Sequence, residues 1–185
     1  MKIEINLNID EYTQIKNALF HEQWDNILPQ SFMDWVSPEW FRKTRLDAEK
    51  LHGAETYIVK DNGVHGVTNN GDLNGGSVDN ICGVVMLSRL RDEGARKDDG
   101  EIATIYFFKK YHGKGYAQSA MKFAENRLRE LGYKDIYLWA LEINARARRF
   151  YEKNGYVLTG KARFQDCGKP YKEVQYIKDS QCIKK

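Results

Sequence analysis

The chain has 185 residues, 42% of them hydrophobic and 30% charged, with 29 basic against 26 acidic side chains and a net charge of +3. That length suits one ordinary domain burying roughly 70% of its unfolded surface, and the near balance of charge excludes nucleic-acid binding through a bulk field, so any anion site must be local. No apolar run can span a bilayer, the longest clear one lying around Val84 to Leu87, and the opening MKIEINLNID lacks the apolar core of an export signal, so we expect a cytoplasmic protein with no membrane partner.

Cys82, Cys167 and Cys182 are odd in number and widely spaced, which fits neither a disulfide framework nor a zinc pattern; they read as reduced thiols. A short strand is expected over Lys2 to Leu7. After it, IDEYTQIKNALFHEQW places Ile9, Tyr12, Ile15, Leu19 and Phe20 at near-helical spacing, with Asn8 or Asp10 as the cap. DNILPQSFMDWVS reads as a loop, and Ser37-Pro38-Glu39 opens a second helix running to about Leu51, where Gly53 ends it. Glu55 to Lys60 and Ile81 to Leu90 read as strands. Half of the residues from Asp61 to Asn80 are glycine or asparagine, too polar to offset their ordering entropy; we expect a flexible insertion at about 61–80, either a plain loop or a lid over a site.

From Gly100 onward a strand, Ile102 to Phe108, leads through a glycine-bearing turn into an amphipathic helix, about Gly115 to Leu131. Its stripe is Ala117, Ala120, Met121, Ala124, Leu128 and Leu131, and Gly132 is its stop. Ile136 to Leu141 reads as a strand covered on both faces, Asn144 caps a helix over Ala145 to Lys153, and strands near Tyr156 to Thr159 and Glu173 to Lys178 flank a turn holding Gly168, Lys169 and Pro170. Hairpins combined with one crossover predict a single α/β domain over 1–185: a mixed, mostly antiparallel twisted sheet with helices on both faces.

The turn Tyr111-His112-Gly113-Lys114-Gly115-Tyr116-Ala117 brings backbone N–H groups and the positive end of a helix together, the natural seat of a phosphate. Gly113 and Gly115 leave room for a ligand to approach the backbone, and Lys114 adds a mobile charge. Neither GxxxxGK[ST] nor GxGxxG is present, and a glycine turn alone is as often only a tight turn.

The stretch Gly100 to Gly160 resembles the core of the GNAT superfamily of N-acetyltransferases, whose pyrophosphate loop runs roughly [QR]xxGx[GA]. His112-x-x-Gly115-x-Ala117 fits it with histidine in the glutamine or arginine position, and Asn144, Ala147, Phe150, Tyr151, Gly155 and Tyr156 resemble the family's second, more specific pattern N..A..FYEK.GY. The resemblance implies a GNAT-like acyl-CoA N-acyltransferase fold and acetyl-CoA as cosubstrate, with no metal. Its pyrophosphate would lie on the N–H groups of His112, Gly113, Lys114, Gly115, Tyr116 and Ala117, and its pantetheine arm along Tyr106, Phe107 and Phe108. Of the charges Lys109, Lys110, Lys114 and Arg148, only Lys114 is retained as a phosphate contact; the others read as solvated surface charge.

Acetyl transfer needs a neutral amine, a donor for the thioester oxygen and a proton for the departing thiolate. The resemblance puts Tyr151 forward as the acid, the Phe107 N–H as the carbonyl donor and either Glu101 or an ordered water as the base. Asn144 would hold the pantetheine arm or a water. Tyr151, Glu101 and Asn144 each have a plainer alternative: Tyr151 packs a short helix on the sheet, Glu101 ends a strand as a solvated charge, and Asn144 only caps a helix. Glu101 to Phe107 spans roughly 20 Å if extended, so a bulge or bridging waters must link them.

The acceptor side would comprise the Trp24 to Trp40 region and the Phe164 to Tyr171 turn. Trp24, Asp25, Phe32, Asp34 and Trp35 form either an aromatic and acidic cup for a cationic amine or an ordinary helix junction. The expected function is acetyl transfer from acetyl-CoA to a primary amine of a small molecule by direct attack in a ternary complex, in a monomer or homodimer. The alternatives are a catalytically silent acyl-CoA-binding or sensing module and an acetyltransferase acting on a protein or peptide amine. A nucleic-acid role for the basic run ARARR is disfavoured by interleaved acids and the lack of a stacking motif.

Overall fold

The computed structural model describes residues 1–5, 8–61 and 80–178. The body of the expected insertion and Cys182 lie outside the described residues; at its neck the Asp61 N–H donates to the Asn80 carbonyl at 2.7 Å. The elements run β1 (Lys2–Ile5), α1 (Ile9–Trp24), α2 (Gln30–Trp35), α3 (Pro38–His52), β2 (Glu55–Lys60), β3 (Ile81–Arg89), β4 (Asp99–Phe107), α4 (Tyr116–Glu130), β5 (Asp135–Leu141), α5 (Ala145–Lys153), β6 (Val157–Asp166) and β7 (Pro170–Lys178).

Local chemistry explains most of these ends. The Asn8 side chain accepts from the Asp10 and Glu11 N–H groups at 3.0 and 3.1 Å, so Asn8 and not Asp10 caps α1. Ser37 accepts from the Trp40 N–H at 3.3 Å with Pro38 in the first turn, and Gly53 closes α3 in the left-handed conformation at φ 61°.

Among the described residues seven strands form one sheet in the order β1-β2-β3-β4-β5-β7-β6. Every neighbouring pair is antiparallel except β4 and β5, which the α4 crossover joins in parallel. β3 is buried along all but its last residue, as a central strand covered on both faces must be. On one face Ala120, Met121, Ala124 and Leu128 of α4 pack with Tyr57, Val85 and Ile102; on the other, Tyr12, Ile15 and Leu19 of α1 pack with Ile58, Ile81 and Val84. Each of those α1 side chains contributes about 1.5–3 kcal/mol by leaving water. The expected mixed, mostly antiparallel sheet with helices on both faces is the architecture found.

Three local expectations change. The segment read wholly as a loop contains α2, a six-residue helix too short to show a period, held by Met33 packing with Leu28, Leu141 and Tyr171. The last hairpin is longer than expected, because β6 is an edge strand with nearly every residue exposed and so lacks the apolar alternation that marks a strand in sequence; its register shifts between Leu158 and Ala162. Leu131 lies just past α4 and is 40% exposed, so the helix stripe ends at Leu128.

β4 carries a bulge at Ala103, since Leu87 faces Ile102 while Met86 faces Thr104. The extra residue exchanges the two faces. Thr104 and Tyr106 therefore meet α1, while Ile102, Ile105 and Phe107 meet the α4 core.

β3 approaches β4 closely at Gly83, where a Cβ would lie 2.2 Å from the Tyr106 carbonyl oxygen and 2.9 Å from Phe107 Cδ1. Gly83→Ala must push the strands apart and is expected to cost about 1–3 kcal/mol; urea unfolding checks this, and an unchanged midpoint would refute the close packing.

Candidate active site

β4 and β5 pair only over Asp99–Asp135, Gly100–Ile136 and Glu101–Tyr137, then diverge. The Phe108 N–H donates to the Cys82 carbonyl at 3.0 Å, so antiparallel alternation turns the N–H and C=O of Phe107 and Ile105 away from β3 and into the gap. Along that gap lies a cavity of about 230 Å³ whose wall includes Phe107, Gly113, Ala117 and Phe150. A second cavity, about 330 Å³, lies on the α1 and α3 side. Tyr106, Asn144, Ala147 and Tyr151 line both, so the two meet through the gap.

At the mouth of the first cavity, Gly113 and Gly115 adopt left-handed φ values of 74° and 84°, and a Cβ at either would meet none of the described residues within 4 Å. Gly115 is the cap residue of α4 and no side chain among the described residues caps that helix, so its first N–H groups and the positive end of its dipole face outward. The arrangement suits a pyrophosphate, which needs approach to the backbone, not side-chain cover.

His112, the departure from the family pattern, is held on both sides. Its Nε2 lies 2.9 Å from the Phe107 carbonyl oxygen and its Nδ1 meets the Arg146 guanidinium. A guanidinium can only donate, so Nδ1 accepts and Nε2 carries the proton. Burial, and then the Arg146 charge, hold the imidazole below its ordinary pKa. Arg146 also donates to Gln23 at 3.0 Å, and both residues line the first cavity. Arg146, from α5, thus stands beside the loop position where the family pattern has glutamine or arginine. Sequence reading missed Arg146 and Gln23 as wall residues, and nothing in their spacing announces it; Phe150, also in the wall, belonged to the pattern around Tyr151 but was given no site role.

Of the other residues expected at the cofactor, Tyr106, Phe107, Gly113, Ala117 and Asn144 lie in the cavity wall; Phe108, Lys114, Gly115 and Tyr116 do not. Phe108 packs into the two cores flanking the sheet, and the Tyr116 ring meets Tyr111 edge-on at 5.3 Å, which leaves these residues only their backbone to offer. The Lys114 ammonium lies 5.9 Å from the Tyr111 ring. Asn144 caps α5, its Oδ1 accepting from the Ala147 N–H at 3.1 Å. Arg148 donates to the Tyr176 hydroxyl at 3.0 Å and to the Glu142 carbonyl, away from the loop.

Tyr151 stands where the cavities join, and burial raises its phenol pKa well above the ordinary value, which keeps it a proton donor. Glu101 is not a solvated strand end: it is 2% exposed and accepts from Arg91 Nε at 2.9 Å and Nη2 at 2.7 Å. Arg91, not Glu101, lines the second cavity, and the ion pair raises the Arg91 pKa further. The acidic half of the expected cup is absent from that cavity. Trp24 and Phe32 line it, but Asp25 and Asp34 are exposed, Asp34 accepting from Gln30 at 2.8 Å, and Trp35 is 59% exposed.

Among the described residues, a strand edge left unpaired thus lies beside a helix N-terminus without a side-chain cap, on a mixed sheet. The family model for the acetyltransferase (GNAT) family matches residues 21–156, and the chain belongs to that family. Uncharacterized N-acetyltransferases of Mycobacterium tuberculosis and Mycobacterium bovis are each 32% identical over 85 residues, 46% of this chain and 51% of theirs; the chain thus spans about half the length of the curated relatives it matches. The PaiA N-acetyltransferase of Thermoplasma acidophilum, solved in complex with coenzyme A, superposes with a TM-score of 0.58 at 18% identity over 97% of this chain and 99% of that one. YncA of Salmonella typhimurium, solved with its cofactor acetyl-CoA, gives 0.63 at 16% identity over 97% and 94%. At these identities the likeness is one of fold. Among the described residues no helix is long and apolar enough to cross a membrane.

His112→Gln tests the loop's packing, because an amide can also donate to Phe107 and accept from Arg146 but does not titrate. With its folded pKa depressed, His112 contributes stability above the ordinary imidazole value of 6.5 and loses it as pH falls through the lower folded value. The wild-type Tm should therefore drop relative to the variant between about pH 7 and pH 5; parallel curves would rule out a neutral, buried imidazole.

Proposed function

We propose that the chain transfers the acetyl group of acetyl-CoA to a primary amine of a small molecule by direct attack in a ternary complex. One observation carries this reading: a cavity beginning at the uncapped end of α4 opens, beside the Phe107 N–H and Tyr151, into a separate cavity on the other side of the sheet. Cosubstrate and acceptor would thus reach one point from opposite sides, which direct transfer requires.

When bound, acetyl-CoA supplies the activated acetyl thioester. The backbone N–H groups from Gly113 through Ala117 would hold its pyrophosphate, and the free edge of β4 would receive its amide groups as an added strand. The Phe107 N–H donates to the acetyl oxygen as charge develops there. As the amine nitrogen bonds to the acetyl carbon and the carbon–sulfur bond breaks, the Tyr151 hydroxyl gives its proton to the sulfur. The amine's own proton leaves through ordered water, since the Glu101 carboxylate is screened from the cavity by Arg91. Neither nucleic acid nor membrane takes part.

Acetyl-CoA calorimetry followed by a thiol-release screen over polyamines, aminoglycosides, amino acids and short peptides tests the whole reading. Turnover on a small amine supports it, turnover on peptides alone moves the acceptor to proteins, and binding without any turnover leaves only a sensing module. Gly115→Glu adds strain at a left-handed φ and a carboxylate at the phosphate seat, and is expected to abolish binding; undiminished binding removes the loop from the site. Tyr151→Phe should lower kcat about 100-fold or more with little change in acetyl-CoA affinity, and an unchanged kcat removes it as the acid.

A further inference from the structure

The second cavity is lined mainly by aromatic and aliphatic side chains, yet α1 places Lys16 in its wall at only 6% exposure. Its ammonium donates to the Thr104 hydroxyl at 3.0 Å and lies 3.8 Å from the centre of the Tyr106 ring and 5.8 Å from that of Phe41. Among the described residues no carboxylate forms an ion pair with it. The other charges of the cavity are matched: Arg91 is forked onto Glu101, and Arg163 lies 2.7 Å from Glu173 and 3.7 Å from Asp92. Two ring faces and one hydroxyl compensate a buried ammonium only partly, and burial with the nearby Arg91 charge drives the Lys16 pKa well below the ordinary lysine range. A lysine so placed, with two donor positions beyond the bond to Thr104, lacks one thing, an anion.

We infer that the acceptor is an amine which also carries a carboxylate on an apolar, aromatic-sized body, and that Lys16 receives the carboxylate. Trp24 and Phe32 hold the body of the acceptor by apolar contact alone. This deepens the acetyltransferase reading and rests on it. The amine would point to the junction at Tyr151, with Tyr106, which lines both cavities, lying between the amine and the anion site. An amine without the anion would leave Lys16 as it stands, buried and unmatched, and so forfeit the gain from pairing it.

The test uses three acceptors whose amine and carboxylate are separated by one, two and three carbons: phenylalanine, 3-amino-3-phenylpropanoate and 4-amino-3-phenylbutanoate. Each is compared with its decarboxylated counterpart at saturating acetyl-CoA. At least one carboxylated member should have a kcat/KM about tenfold or more above its counterpart, a ratio that collapses toward one in Lys16→Met and returns in Lys16→Arg. Equal rates within every pair, or a ratio unmoved by Lys16→Met, overturn the inference. A second measurement needs no turnover: 3-phenylpropanoate, which has no amine, should bind the wild type and bind Lys16→Met about tenfold more weakly by calorimetry. If it does so while no amine is acetylated, the anion site stands and the acetyltransferase reading fails; if amines are acetylated but binding does not depend on Lys16, the reverse holds.

Discussion

The divergence of β4 from β5 is the constraint on which the rest of the site depends. A strand inside a sheet normally satisfies its N–H and C=O groups on both sides, and leaving one side open costs free energy unless water or a ligand takes them up. Here the Phe107 carbonyl is satisfied by His112, a side chain from the loop that follows, while the Phe107 N–H is left facing the gap. At the closed end the strands are clasped by Arg96, which donates to Asp99 of β4 at 2.7 Å and also to Asp135 of β5. The gap therefore opens like a wedge, with its apex at the ion pairs and its mouth at the start of α4.

Charge is distributed unevenly around that wedge. Arg91 and Glu101 neutralise each other beneath the second cavity, and Arg163 and Glu173 do so at its rim. Arg146 approaches the loop from α5 and reaches His112 and Gln23. Lys16 is the exception, an ammonium buried against rings and a hydroxyl. The first cavity therefore combines backbone dipoles with a guanidinium at its mouth, whereas the second combines a largely apolar wall with a lysine that has no carboxylate partner among the described residues, so the two sides of the sheet suit ligands of different chemistry.

The elements with strong local chemistry were legible in the sequence. Asn8, Ser37, Gly53 and Asn144 mark helix ends because each meets a backbone need within a few residues, and the α4 stripe from Ala120 to Leu128 follows from helical spacing alone. α2 was not legible, because six residues hold less than two turns and its stability comes from Leu141 and Tyr171, far away in the chain. β6 was only partly so, since an exposed edge strand has no buried face to impose alternation. The fate of Glu101 was equally hidden: nothing adjacent to it shows that Arg91, ten residues earlier on the neighbouring strand's exit, will cover it.

By itself the sequence determined what short-range rules encode: the helix caps, the glycine turn before α4, and the pattern around Asn144 and Tyr151 that points to the family. Only the tertiary structure decided which side chains face the reacting point. In sequence Lys16 is one polar residue on an amphipathic helix, and its burial arises when α1 packs on β4 and α3 brings Phe41 over it. His112 looks like a weakened loop residue until α5 delivers Arg146. Both outcomes depend on contacts between segments distant in the chain, and such contacts are set by how whole faces pack, which no local spacing records.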